Sequence, residues 1–280
     1  MSREINVKDI TAAITNLAIS SNRKLPDDVA NALTAARNNE SLPLAQTTID
    51  DIIKNQQIAA DQKLPLCQDT GMAVVFLEIG QQLQITGGDL TEAINCGVAQ
   101  GYTDGYLRKS IVSPLKRENT NDNTPAVIHT NIVPGDKLKI TFVPKGGGAE
   151  NMSRLAMLKP SAGIEGIKRF IIDAVREAGP NPCPPIVVGV GIGGNFEYAP
   201  LLAKQALLRT IGSKADDEDI AALETELLTA INKLNIGAQG FGGKSTALAV
   251  HIATAPCHFA TLPVAVNINC HVARHQSVIL

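Results

Sequence analysis

The sequence predicts an α+β fold, with a helical N-terminal layer packed with mixed β-sheets. Three observations predict it. Apolar residues recur at helical spacing through about residues 1–62, as in Ile10, Ala13, Ile14 and Leu17. From Met72 onward, short apolar runs of strand length alternate with helical patterns and are bounded by Gly- and Pro-containing turns. No internal repeat, low-complexity segment or clear linker divides the chain, so residues 1–280 are expected to form a single domain: a helical part to about 62, then an α+β part over about 63–280.

The elements follow in order. Pro26-Asp27-Asp28 suits a helix start, leading into 27–38, because Pro fits a first turn and acids favour the helix N-terminus. Ile49, Ile52 and Ile53 mark a third helix at about 46–61. Met72–Ile79 reads as a buried strand, Gly87-Gly88-Asp89 as a turn, and 90–108 as a helix. Val127–Ile132 and Leu138–Val143 read as strands with Pro134-Gly135-Asp136 as the turn between them, and Lys145–Gly148 as a loop. Helices are expected at 162–178, 197–209 and 216–234, the last with an acidic, solvated start at Asp216–Asp219. Strands are expected at 186–192, 246–252 and 262–269.

Composition narrows the function. Hydrophobic residues make up 44% and charged residues 19%, which is ample material for a core. With 25 basic against 27 acidic side chains the net charge is −2, so nothing electrostatic favours nucleic acid or an anionic membrane. Aromatics are 3% and Trp is absent, which disfavours base-stacking platforms. No apolar run reaches the roughly 18 residues of a membrane span, and the N-terminus is polar, so a cytoplasmic location is expected.

The five cysteines, at 67, 96, 183, 257 and 270, are an odd number with no CxxC pair. In a reducing compartment they are not disulfides, and their spacing excludes a zinc ribbon or a ferredoxin-type run. A metal site assembled from distant cysteines stays open. Cys67, Cys183 and Cys270 each fall at the end of an element, where functional side chains are commonly presented. Cys96 falls in a helix and is expected to be a small buried hydrophobe, and Cys257 is ambiguous. Gly189-Val-Gly191-Ile-Gly193-Gly194 satisfies the dinucleotide pattern, but no second βαβ strand ending in an acid follows it, so dinucleotide binding is not expected.

Several stretches occur together in order from about 65 to 275. They are Cys67-Gln-Asp-Thr-Gly71, Gly105-Tyr-Leu-Arg-Lys-Ser110, Asn119-Thr-Asn-Asp-Asn-Thr-Pro125 and Pro144-Lys-Gly-Gly-Gly148. Asn181-Pro-Cys-Pro-Pro185, Pro256-Cys-His258 and Asn267-Ile-Asn-Cys270 complete the set. Together they resemble the class I, iron–sulfur fumarate hydratases, and the chain length resembles the separate α subunit of the two-subunit fumarase/tartrate dehydratase type.

The resemblance implies a fold of that α-subunit type, a [4Fe–4S] cluster held by Cys67, Cys183 and Cys270, and one iron without a protein ligand. It implies substrate contacts from Gln68, Asp69, Arg108, Gly147 and Gly148, with Asp69 and His258 as catalytic groups. A guanidinium suits a carboxylate because it binds both oxygens at once. The implied reaction is hydration of fumarate to (S)-malate, a step of the tricarboxylic acid cycle, on a small dicarboxylate substrate. The implied partner is a fumarase β subunit, in an α2β2 assembly, that supplies the base for the carbon-bound proton; the α chain alone is then inactive. L(+)-tartrate dehydratase is the near alternative. A non-catalytic iron–sulfur regulator would keep the cysteines but have no use for Arg108 or the Gln68-Asp69 pair.

Overall fold

The computed structural model describes residues 3–280. The chain begins with β1 (Arg3–Asn6), α1 (Val7–Arg23), α2 (Asp27–Asn39) and α3 (Pro43–Gln62). Then come β2 (Met72–Gly80), β3 (Leu83–Thr86), α4 (Leu90–Asp104), β4 (Val127–Val133) and β5 (Leu138–Lys145). The second half holds α5 (Gly147–Glu150), β6 (Arg154–Leu158), α6 (Gly163–Ala178), β7 (Ile186–Gly193), α7 (Tyr198–Ala206) and α8 (Glu218–Asn232). It ends with β8 (Ala247–Ala255), β9 (Leu262–Asn269) and β10 (Gln276–Ile279). This is the α+β class that the sequence predicts. The described elements group into two compact units: residues 3–26, 55–147 and 274–280 in the first, and 27–54 and 148–273 in the second.

In the first unit a four-stranded mixed sheet runs β10-β5-β2-β4, with β2 parallel to β4 and antiparallel to β5. The turn at Pro134–Asp136 therefore does not close a hairpin, because β2 lies between the two strands it joins. Ile10, Ile14 and Leu17 of α1 pack with Ile94, Val98 and Tyr102 of α4 over Val75, Leu77, Ile140 and Phe142. The helices approach closely at Gly97, where a Cβ would stand 2.7 Å from the Thr11 carbonyl oxygen. Thr15 Oγ1 donates to Gly97 O across the same seam at 3.2 Å. Side-chain caps fix both starts: Asn6 accepts from Lys8 N at 3.0 Å and Asp89 from Glu92 N at 2.8 Å.

In the second unit the sheet runs β6-β9-β7-β8, with β7 parallel to β8 and antiparallel to β9. Alternation divides its two faces. Val188, Val190, Val264, Val266 and Ile268 join Ile171 of α6 and Leu223, Leu227 and Ile231 of α8. The opposite face receives α7. There a Cβ on Gly189 would lie 2.2 Å from Ala203 O, and one on Gly191 would lie 2.0 Å from Ala199 O. Gly189 and Gly191 of the dinucleotide-like pattern are thus the floor on which α7 rests. Asp217 caps α8 by accepting from Asp219 N and Ile220 N at 2.9 and 3.2 Å, the role expected of its acidic start.

Two expectations are corrected. Cys96 is exposed on α4, because that helix turns Ile94 and Val98 inward and Cys96 to solvent. The expected 145–148 loop is instead the last residue of β5, one linking residue and the short α5.

Candidate functional site

The first unit places Gln68, Asp69 and Arg108 around one pocket of about 430 Å³, lined also by Met72, Ser110, Ile111, Lys145 and Gly147. The Cys67–Gly71 loop that supplies two of these residues is fixed from several sides. Asp69 Oδ1 accepts from Gly71 N at 2.9 Å, and Asp69 Oδ2 accepts from Gly147 N at 2.8 Å. Each carboxylate oxygen has two lone pairs, so each retains acceptor capacity toward the pocket. Gly147 lines the pocket, but its N–H is engaged by Asp69. Gly148 belongs to the second unit.

Beneath the loop lies a buried polar scaffold. The Tyr102 hydroxyl sits 2.7 Å from Thr70 O and 2.9 Å from Gly71 O, sharing one proton between them. Tyr102 is fully buried, and burial pushes its phenol well above the usual range, so it remains a donor. Asn123 Nδ2 donates to Gly71 O at 3.1 Å while its Oδ1 accepts from Ser110 N at 2.7 Å. Thr70 Oγ1 donates to Arg108 O at 3.0 Å, tying the loop to the segment that carries the exposed Arg108. Arg274 is 3% exposed; its Nη2 donates to Asp69 O at 2.6 Å, and its buried Nε has no hydrogen-bond partner. Gly71 itself is required by close approach: its φ is +78°, and a Cβ would stand 2.8 Å from Lys145 N.

Four residues of this site received no role from the sequence. Lys145, Tyr102, Asn123 and Arg274 all act through contacts with distant segments. Lys145 and Asn123 lie inside quoted motifs, and Arg274 closes Cys270-His-Val-Ala-Arg274. A lysine ending an apolar strand was the one local signal.

Cys67 is half-buried beside the pocket residues, with its Sγ accepting from Asp69 N at 3.4 Å. In the second unit, Cys183 precedes β7 and Cys270 follows β9, and these strands are antiparallel neighbours whose register pairs Val187 with Asn269. The two cysteines are therefore presented at the same end of one sheet. His271 N donates to Cys183 O at 3.2 Å, joining the two arms. All five cysteines are thiols. Soft sulfur donors at element ends suit an iron–sulfur group. Among the described residues no three of His, Cys, Asp and Glu are grouped to hold a single metal ion.

His258 lies on the exposed turn after β8. Its Nδ1 accepts from Ala260 N at 3.2 Å, which leaves the Nε2 edge to carry the proton of the neutral ring. Its ring meets Phe259 at a centroid distance of 4.6 Å. Cys257 is exposed on the same turn, its Sγ donating to Thr261 O at 3.3 Å.

A family model described as fumarate hydratase (Fumerase) matches residues 11–279. The chain belongs to the fumarate hydratase family. Relatives within reach of this family carry dehydratase names. A protein of Methanocaldococcus jannaschii, provisionally named an L(+)-tartrate dehydratase α subunit, is 47% identical over 256 residues, covering 89% of this chain and 90% of its own. The L(+)-tartrate dehydratase α subunit of Escherichia coli K12 is 32% identical over 278 residues, covering 98% of this chain and 91% of its own. The Shigella sonnei protein of the same name matches to the same extent, 32% over 278 residues. Hydratase and dehydratase name the two directions of one reaction type, the addition of water to a carbon–carbon double bond or its removal to form one. No helix among the described residues is long and apolar enough to cross a membrane.

Proposed function

We propose that this chain is the α subunit of a cytoplasmic hydro-lyase that reversibly hydrates fumarate to (S)-malate. The observation that carries the reading is the first unit's pocket, where Arg108 and Lys145 supply positive charge beside Gln68 and Asp69. Two cations and an amide suit a small dicarboxylate. Arg108 grips one carboxylate through two guanidinium N–H groups. Gln68 donates its amide N–H to substrate oxygen. Asp69, oriented by two main-chain N–H groups, would take a proton from the adding water on hydration and return it to the departing hydroxyl on dehydration, and Gly147 and Gly148 shape the backbone that faces the substrate. His258 presents its Nε2 edge as a carboxylate ligand or proton carrier.

Cys67, Cys183 and Cys270 would hold a [4Fe–4S] cluster, which supplies Lewis-acid polarisation of a bound oxygen. The thiol chemistry of this donor set supports the assignment, as does the link from His271 to Cys183. None of these side chains is a base placed for a carbon-bound proton, so the site is completed by a β subunit, in an α2β2 assembly. The whole chain, 1–280, then acts as one functional domain.

The relatives' names favour a second reading, L(+)-tartrate as substrate. Co-expressing the chain with its β subunit, loading iron and sulfide anaerobically, and assaying both substrates decides between them. Faster turnover of fumarate supports the first reading and faster turnover of L(+)-tartrate the second. Turnover of neither, with the cluster present, defeats both.

A further inference from the structure

Two residues of the second unit have side chains that the proposed reaction does not use, yet both bear on the segment carrying Cys183. Gln239 sits in a one-turn 3-10 helix, Ala238–Gly240, at φ +52° and ψ +18°, a left-handed conformation rare for a non-glycine residue. Such strain persists only where the surroundings enforce it. Here the surroundings are the Pro180–Pro185 loop. A Cβ on Gly240 would lie 2.4 Å from Pro180 Cβ, so the turn rests directly on that loop.

From this position Gln239 holds Pro184 O twice, through its main-chain N at 2.8 Å and its Nε2 at 2.9 Å. The same Nε2 lies 3.1 Å from His271 Nδ1. His271 Nδ1 in turn lies 3.0 Å from Cys183 O, and His271 N donates to that same oxygen at 3.2 Å. With its proton on Nδ1 the ring donates to Cys183 O; with the proton on Nε2 it accepts from Gln239. Either tautomer keeps the imidazole between the two. His271 directly follows Cys270. One imidazole thus spans from the residue after Cys270 to the carbonyl of Cys183, and Gln239 buttresses it from behind.

We infer that Gln239 and His271 form a clamp that pre-sets the main chain of Cys183 relative to Cys270, making them positioning residues for the pair of thiolates. The inference rests on the reading of these cysteines as cluster ligands. Neither side chain needs to touch iron or substrate. Hydrogen bonds that orient ligands from outside commonly change metal affinity by about tenfold to a hundredfold when removed.

The test uses the full chain co-expressed with its β subunit and loaded anaerobically with iron and sulfide. The readouts are iron per chain, the visible absorption of the cluster, and the rate of iron release to a chelator. Gln239→Gly removes the amide while suiting the left-handed backbone, so folding is preserved, and unchanged circular dichroism and thermal midpoint check this. His271→Ala removes the ring, and His271→Asn returns a polar atom near the place of Nδ1.

The clamp predicts iron release at least about tenfold faster in Gln239→Gly and His271→Ala, with recovery toward wild type in His271→Asn. Wild-type release rates in both folded variants overturn the clamp while leaving the cysteine assignment standing. A wild-type pair that takes up no iron defeats the cysteine assignment itself, and the clamp with it.

Discussion

The Cys67–Gly71 loop of the first unit and the His258 turn of the second carry neighbouring roles in the proposed reaction on very different supports. The loop stands on Tyr102, Asn123 and Arg274, all buried, and each donates to its main chain. The His258 turn is exposed and held by short-range bonds, from Thr261 N and Ala260 N back to His258. The difference teaches where activity and stability are coupled. Changes under the loop should cost both, because its main-chain carbonyls lose the side-chain donors that hold it. Changes on the turn should cost activity alone.

The largest expected effect sharpens the reading of the pocket. Arg108→Ala should lower kcat/KM for the dicarboxylate by roughly a thousandfold, because a charged two-point contact is lost, with the thermal midpoint unmoved at this exposed site. Steady-state kinetics beside a thermal melt checks it. Gly71→Ala comes next. Its methyl would meet the main chain of Pro144 and Lys145 at left-handed φ, a conflict of about 3 kcal/mol that denaturant titration would register as a lowered midpoint.

His258→Ala should lower kcat by about a hundredfold if the ring carries a proton, and leave the melt unchanged. A stability loss equal to that of Gly71→Ala would break the contrast between the two regions. Tyr102→Phe should cost about 1–3 kcal/mol, since two carbonyls lose their shared donor, with kcat/KM falling as the loop loosens.

The smallest effect is one of pH and lies away from both regions. His251 is 2% exposed, and burial, reinforced by Arg209, holds its imidazole below its ordinary value of 6.5. The folded chain keeps this ring neutral, while the unfolded chain protonates it near 6.5. The stability that rests on the neutral ring is therefore complete above about pH 6.5 and declines as pH falls below it. His251→Gln should flatten that decline in melts taken across the range.

Helices and buried strands were legible because their apolar residues repeat at the period of the element, as in α1, α8, β7 and β9. The four strands that were missed, β1, β3, β6 and β10, are four or five residues long. They exist by pairing with a partner rather than by any pattern of their own. Strands β4 and β5 and the turn between them were legible, but their pairing was not: a turn fixes the direction of a chain, while β2, from far earlier in the sequence, decides which strands pair. At the site, residues inside dense local motifs could be named from sequence. Tyr102, Lys145 and Arg274 could not, because what each does is set by a carbonyl or a pocket wall contributed by another segment.

The central claim is that this chain grips a dicarboxylate in the first unit's pocket as part of an iron–sulfur hydro-lyase. The most direct measurement is anaerobic turnover by the co-expressed, iron-loaded pair, comparing wild type with Arg108→Ala at equal iron content. The account predicts about four irons per wild-type chain, hydration of fumarate or dehydration of L(+)-tartrate, and loss of that turnover in Arg108→Ala with its iron retained. Equal turnover by the two proteins would contradict it.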